Sequence, residues 1–237
     1  MLAQDISGAS VSGKFLQFTD ETVDTNLTKL DAGVEVGLAS AFAVGGNVAL
    51  IGGDGVDSNI TNFTAHGMYM FSPNSALGLF AAQDSDDDAS ATIYGIEFGT
   101  ASDTTQFEAY YGAVSSDDFD DEGLTVAGFN VAFELAQGFS LGLDYESFTV
   151  QDAVVLTLGG PLEDLTLNDI ALTASYQFTA GPSVFAELGQ ISASASSGGV
   201  SYVSVNEVEY VAVGVKYTFG RGTGNIFGNR TYFGFGS

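Results

Sequence analysis

The chain has 237 residues, enough for one large all-β domain or two smaller ones, and contains 31 glycines, 3 prolines and no cysteine. Five basic residues against 30 acidic ones give a formal net charge of −25, which argues against nucleic acid as a partner, because phosphate binding needs clustered Lys and Arg. Without cysteine, disulfide and thiolate chemistry are excluded.

The chain opens with MLAQDIS, in which Leu2 and Ala3 resemble the last residues of a signal peptide. We therefore expect that a signal was removed before Gln4 or replaced by Met1. No run of about 18 apolar residues follows, so the sequence predicts no transmembrane helix.

Apolar side chains then recur at every second position, which is the period of a β-strand and not of a helix. In 28–38, Leu30 and Val34 lie on one face, whereas Lys29 and Glu35 lie on the other. The same period marks 126–135, 139–146, 170–178 and 209–219.

The connections between these strands alternate between two kinds. The predicted short turns, rich in Gly, Pro, Asn or Asp, are 43–47, 72–75, 100–104, 136–138 and 179–183. The predicted long loops, rich in Asp and Glu, are 19–27, 52–61, 83–91, 115–123, 147–169 and 192–209. Together these connections join 12 strands.

Long and short connections in alternation are typical of a membrane barrel, in which apolar side chains face lipid and polar ones face the lumen. The predicted fold is all-β: a closed, antiparallel, up-and-down transmembrane β-barrel of about 12 strands, over residues 11–219. Residues 1–10 are predicted to form a periplasmic N-terminal segment, and 220–237 a tail rich in Gly and aromatic residues. A soluble β-sandwich is the alternative fold.

Aromatic residues gather near the short turns, as in the interfacial girdle of a membrane barrel. The predicted girdle consists of Phe42, Phe71, Phe98, Phe107, Phe133, Phe139, Phe178, Phe185, Tyr217 and Phe219.

The last clear strand ends in Gly214-Val-Lys-Tyr217-Thr-Phe219. This sequence resembles the C-terminal signal of Gram-negative outer-membrane β-barrels, in particular the small porin-like ones. The resemblance implies that Gly214, Tyr217 and Phe219 are read by the barrel assembly machinery, and that the protein lies in the bacterial outer membrane among lipid and lipopolysaccharide.

The tail departs from that family, in which the terminal aromatic usually ends the chain. Residues 220–237 contain Arg221 and Arg230. Three alternatives stay open: a flexible periplasmic extension, a segment that folds back into the lumen as a plug or whose arginines contact another component, and a final strand from Thr231 to Phe235.

A lumen with more carboxylates than cations would favour cations and repel anions. The predicted pore-lining residues are Lys14, Lys29, Glu35, His66, Glu97, Glu108, Glu134, Asp144, Glu146, Glu187 and Lys216. Lys–Glu pairs that brace a closed barrel are the alternative use of these residues.

Two acidic runs suggest calcium sites, because Ca²⁺ takes six to eight oxygen ligands. The candidate ligands are Asp84, Asp86 and Asp88 in the first run and Asp117, Asp118, Asp120, Asp121 and Glu122 in the second. Neither run has the spacing of an EF-hand, so self-repelling solvated loops, or loops bridged through divalent ions to lipopolysaccharide, are the alternatives.

His66 is the single histidine, and its surroundings, Thr64-Ala-His66-Gly-Met68, match no nucleophile motif. The sequence therefore predicts no enzyme and no cofactor other than loop-bound Ca²⁺. It predicts a porin-like channel for passive diffusion of small neutral or cationic solutes. The alternative is a closed barrel that acts as a surface binding or structural protein through its acidic loops.

Overall fold

The computed structural model describes residues 6–20, 25–39, 41–54, 58–87, 89–116, 123–151, 164–179, 181–197, 200–220 and 226–231. Its strands are β1 (Ile6–Phe18), β2 (Asn26–Ala39), β3 (Phe42–Asp54), β4 (Ile60–Ser72), β5 (Ser75–Ser85), β6 (Ser90–Ala101), β7 (Thr105–Ser116), β8 (Leu124–Ala136), β9 (Phe139–Gln151), β10 (Asp164–Gln177), β11 (Pro182–Ser197) and β12 (Val200–Gly220).

These strands form one closed barrel in which each strand pairs antiparallel with its neighbours in sequence. The barrel closes where β1 pairs with β12, in a register that sets Lys14 opposite Gly214 and Ser12 opposite Lys216. The predicted fold class and strand number are thereby confirmed. Across the described ranges, no helix has the length and apolar character needed to cross a membrane.

The two faces of the barrel wall have opposite chemistry. Val211, Val213 and Val215 point outward and are 40, 57 and 59% exposed, whereas Tyr210 and Ala212, between and beside them, are buried inside. The same alternation runs along β4 and β5. Because period-two alternation sends successive side chains to opposite faces, the apolar set forms a continuous outer surface suited to lipid.

The barrel has a turn end, at connections 40–41, 73–74, 102–104, 137–138 and 178–181, and an opposite loop end. Exposed aromatic rings surround the turn end as predicted, with Phe42 against Tyr69 and Phe71 against Phe98. Phe185 is an exception: it points inward and lines a lumen cavity. Its neighbours Val184 and Leu188 are exposed, so the strand's own alternation assigns Phe185 to the lumen.

The interior at the loop end contains a large apolar cluster, which the sequence did not predict. Ten buried side chains pack there into one cluster: Phe80, Ala82, Ala91, Ile93, Val114, Leu124, Val126, Phe148, Val150 and Ala195. A second buried cluster on the other side consists of Leu16, Leu27, Ala171, Tyr210 and Ala212. Most polar and charged lumen residues lie between these clusters and the turn end, whereas Asn62 and Asp84 lie beside the first cluster, where Asp84 is opposite Ala91.

Three predicted boundaries are corrected. β1 begins at Ile6, so half of the predicted N-terminal segment belongs to the barrel. The small and polar residues at the start of β1 give no clear strand pattern in the sequence. In the structure, however, Gly8 pairs with Gly220 and with Glu35. The predicted turn 43–47 lies inside β3, because the chain reverses earlier, at 40–41.

The predicted loop 192–209 is instead a hairpin with only 198–199 between its strands. Period-two alternation of Ser with Ala and Val continues through this stretch, so ladder pairing continues too. β12 has 21 residues, about twice the 9–11 that a membrane crossing needs. The β11–β12 hairpin therefore extends beyond the apolar band at the loop end.

Candidate functional site

The predicted lumen residues lie inside the barrel with one exception. Lys14, Glu35, His66, Glu97 and Glu187 are buried, and Lys29, Glu108, Asp144, Glu146 and Lys216 also project inward. Glu134 does not line the lumen. It is exposed at the turn end, where its Oε1 accepts a hydrogen bond from the Gly138 amide at 3.0 Å, because β8 ends two residues later.

Residues 226–231, which we call the lumen segment, lie inside the barrel against strands β2 to β7. The segment starts near the turn end, where the Ile226 amide donates to Glu35 Oε2 at 3.1 Å. It reaches Asp84 of β5, which accepts from Thr231 Oγ1 at 2.9 Å. Of the alternatives for the tail, the segment that folds back into the lumen therefore agrees with the position of these six residues. A flexible periplasmic extension does not agree with it.

The barrel wall holds the backbone of the lumen segment as well as its side chains. Asn47 Nδ2 donates to the Phe227 carbonyl at 3.3 Å, and the Gly228 amide donates to Glu108 Oε1 at 3.0 Å. The Arg230 amide donates to Thr64 Oγ1 at 3.1 Å. A buried backbone group without a partner costs free energy, so these contacts offset the cost of burying the segment.

Two glycines on the lumen face make room for Phe227. A Cβ atom at Gly99 would lie 2.7 Å from Ile226 Cγ2 and 2.9 Å from Phe227 Cε1, and one at Gly78 would lie 3.0 Å from Phe227 Cε2. The Phe227 ring also stacks on His66, with 5.8 Å between centroids. The wall therefore has a recess whose shape fits this side chain.

Arg230 is buried between the lumen segment and the barrel wall, with 2% of its side chain exposed. Its Nη2 donates to Glu97 Oε2 at 3.0 Å and also pairs with Glu108. Its Cζ lies 4.2 Å from the Tyr110 ring centroid and 5.6 Å from that of Phe80. Burial lowers the pKa of Arg230, but Glu108 and Glu97 raise it by more, and the net pKa lies above its ordinary value. The guanidinium is therefore charged.

His66 takes part in the same network, since its Nδ1 lies 2.7 Å from Glu97 Oε1. Its lumen position agrees with the prediction. Within the described ranges, no three His, Asp or Glu side chains are grouped so that they could hold a metal ion. The contacts of His66 are those of a structural lumen residue.

Several residues of this site were not predicted. Asn62 Nδ2 donates a hydrogen bond to the Arg230 carbonyl, and Thr64 Oγ1 accepts one from the Arg230 amide. The Tyr110 hydroxyl donates to Glu146. The alternation of Asn62 and Thr64 with outward Phe63 could have identified the first two. No sequence signal indicates that Tyr110 lies beside Arg230, because the two are 120 positions apart and meet only in the folded barrel.

A cavity of about 310 Å³ remains between the lumen segment and the opposite wall, which is formed by β8 to β12 and β1. Phe227 and Asn229 line it on the segment side, and Asn130 and Asp144 line it on the wall side. Serine and threonine residues also line the cavity on the wall side: Ser10, Ser12, Ser140, Thr173, Ser175 and Ser183. The volume is at the lower end of ligand-binding cavities.

All three lysines of the chain line this cavity. Lys14 and Lys29 are directly opposite each other on β1 and β2, and Lys216 follows on β12. Carboxylates compensate them, as in the Lys14–Glu187 pair at 3.4 Å. Among the described lumen side chains, carboxylates outnumber cations: Asp31, Glu35, Asp84, Glu97, Glu108, Asp144, Glu146, Asp169 and Glu187 against Lys14, Lys29, Lys216 and Arg230.

The calcium hypothesis is altered in one respect. Asp84 lies on β5 and not in a loop, and its carboxylate accepts hydrogen bonds from Asn62 and Thr231 inside the lumen. Asp86 accepts from the Ala89 amide at 2.7 Å in a tight turn. The other candidates, Asp88, Asp117, Asp118, Asp120, Asp121 and Glu122, lie outside the described residues, and calcium binding by the loops stays a prediction.

The residues of the suggested assembly signal have different surroundings. Tyr217 and Phe219 form a pair of outward rings 4.4 Å apart at the turn end. Gly214 faces inward, where the Phe185 ring occupies the space a Cβ atom would need. Recognition by assembly machinery stays a prediction.

No protein-family model matches the chain, and no curated protein is similar to it in sequence. Solved structures share its fold. The KdgM porin matches with a TM-score of 0.58 at 13% identity, over 89% of this chain and 99% of that one. The NanC porin matches with 0.58 at 9% identity, over 88% and 98%.

An outer-membrane channel from Pseudomonas putida F1 matches with a TM-score of 0.58 at 12% identity, over 90% of this chain and 96% of that one. Identities this low reveal shared architecture only. The chain therefore has the barrel fold of outer-membrane porins and channels.

Proposed function

We propose that the protein is a porin-like channel of the bacterial outer membrane that lets small neutral or cationic solutes diffuse passively. The cavity of about 310 Å³ carries this proposal, because it is a polar, charged space inside a barrel whose outer surface is apolar. The fold shared with porins supports it.

The lumen charges support a preference for cations. Carboxylates outnumber cationic groups there, and a ring of carboxylates lowers the energy of a cation in a pore. One of the similar structures is a KdgM porin in complex with oligogalacturonate. The net negative charge of the described lumen side chains would repel a polyanion of that kind.

The second candidate is a closed barrel with a surface binding or structural role through its acidic loops. Two observations favour it: the lumen segment occupies one side of the lumen, and a cluster of ten apolar side chains packs inside the barrel at the loop end. In this case the protein would conduct neither with the lumen segment in place nor without it.

Planar-bilayer recording separates the two candidates. Full-length protein purified in detergent is compared with the Arg230→Ala variant, in which the lumen segment has lost its charged anchor. We expect current steps for the variant and smaller or rarer steps for the wild type. In a KCl gradient, the reversal potential should shift toward the equilibrium potential of K⁺. Silence of both proteins after verified insertion would reject the channel and favour the closed barrel.

A further inference from the structure

The side chain of Arg230 lies in a pocket that the barrel wall makes on its own. Phe80 of β5, Glu97 of β6, and Glu108 and Tyr110 of β7 surround the guanidinium, and we call them the guanidinium pocket. All four belong to adjacent strands of the closed sheet. Their relative positions are therefore fixed by the ladder and not by the lumen segment.

The aromatic ring of this pocket favours a planar, delocalised cation. The Tyr110 ring lies 4.2 Å below the guanidinium carbon, and the carboxylates of Glu97 and Glu108 accept from the same nitrogen, Nη2. A guanidinium stacks on an aromatic ring while its edge donates to carboxylates, whereas an ammonium is a strongly hydrated point charge.

The pocket also has support behind it. The Tyr110 hydroxyl donates to Glu146 of β9, which restrains the position of the ring. Glu97 is additionally in contact with His66 Nδ1 at 2.7 Å. When Arg230 leaves, the buried Glu97 and the half-buried Glu108 lose their cation beside an aromatic face, which is costly unless another cation replaces it.

We propose that the guanidinium pocket is a binding site for solutes that carry a guanidinium group, such as free arginine or peptides containing it. These solutes compete with Arg230 for Glu97 and Glu108, and binding displaces the lumen segment from the wall. The idea that such solutes then pass through the lumen rests on the proposed channel function; binding in the pocket does not. By linkage, a ligand that replaces Arg230 shifts the segment toward its displaced state.

Chemical rescue tests the pocket directly. Full-length Arg230→Ala protein is titrated in detergent with ethylguanidinium, and with ethylammonium as the probe of equal charge. We expect ethylguanidinium to raise the thermal unfolding midpoint at concentrations about tenfold lower than ethylammonium does. The matched control, Glu97→Gln/Glu108→Gln/Arg230→Ala, should lose this response. Equal effects of the two ions, or an unchanged response in the control, would overturn the proposal.

The wild-type protein gives a second test that needs no variant. Arginine amide should increase the rate or size of bilayer current steps by about tenfold over lysine amide at equal concentration, because only the former fits the pocket. Channel activity that both amides leave unchanged or raise equally would refute the pocket while leaving the channel intact. Rescue of the variant by ethylguanidinium together with electrical silence would support the pocket and reject the channel.

Discussion

Arg230 Nη2 donates a hydrogen bond to Glu97 Oε2 at 3.0 Å, joining two buried side chains that are 133 positions apart in sequence. Glu97 belongs to the barrel wall, and Arg230 belongs to a segment that follows the last strand. The contact is thus the electrostatic anchor that holds residues 226–231 against the inner wall of the barrel.

Removing one partner of this contact should destabilise the protein. We expect Glu97→Gln to lower the free energy of unfolding by about 1–3 kcal/mol, because Arg230 loses one of its two carboxylate partners and keeps only Glu108. Urea titration of the detergent-folded protein measures the change. Glu134→Gln is the matched control, since Glu134 is exposed and bonds only its own turn; an equal loss in both variants would contradict the anchor.

The recess under Phe227 gives a steric prediction. Gly99→Ala places a Cβ atom 2.7 Å from Ile226 Cγ2, which is closer than atoms tolerate, and overpacking costs about 1–3 kcal/mol. Because the chain has no cysteine, Thr231→Cys is a clean reporter of segment displacement. Its maleimide labelling rate should rise roughly fivefold or more in the Gly99→Ala background.

Gly142→Ala is the matched control for that experiment. Gly142 also faces the lumen, but its nearest neighbour to an added Cβ atom is the Val131 carbonyl at 3.4 Å, far from the lumen segment. Labelling should keep its original rate in this background. A rise of the same size would mean that any added methyl group loosens the barrel.

The apolar outer surface predicts that a charged side chain introduced there destabilises the folded barrel. Leu188 is 65% exposed on β11, and Leu188→Arg should cost about 2–4 kcal/mol of folding free energy in lipid vesicles if it lies near the bilayer midplane. Leu188→Ala supplies the control for lost side-chain volume. Similar stabilities of the Arg and Ala variants would be incompatible with a lipid-facing Leu188.

The terminal aromatic pair can be tested in cells. Tyr217→Ala/Phe219→Ala should reduce the amount of folded barrel in the outer membrane if assembly machinery reads this strand. Tyr176→Ala/Phe178→Ala removes another pair of touching rings near the turn end, 5.1 Å apart, and serves as the control for lost girdle area. Equal reductions, quantified by heat-modifiable gel mobility, would favour the girdle over a signal.

Much of the barrel was predictable because period-two alternation is a local property. Residues such as Leu30 and Glu35 reveal their faces from their own strand, and the inward direction of Lys14, His66 and Glu187 followed from it. Glu134 was misplaced because alternation gives a face and not a depth, and Glu134 lies beyond the lumen, at the turn end of β8. Phe185 was misplaced because its aromatic character suggested lipid while its register directed it inward.

The sequence by itself determined an inside-out barrel, since alternation of apolar and polar side chains is set by the backbone geometry of a single strand. Only the tertiary structure decided what fills the lumen. The meeting of Arg230 with Glu97, Glu108 and Tyr110 depends on the closure of 12 strands into a barrel and on the position of the lumen segment inside it, and contacts across such separations leave no periodic trace in the sequence.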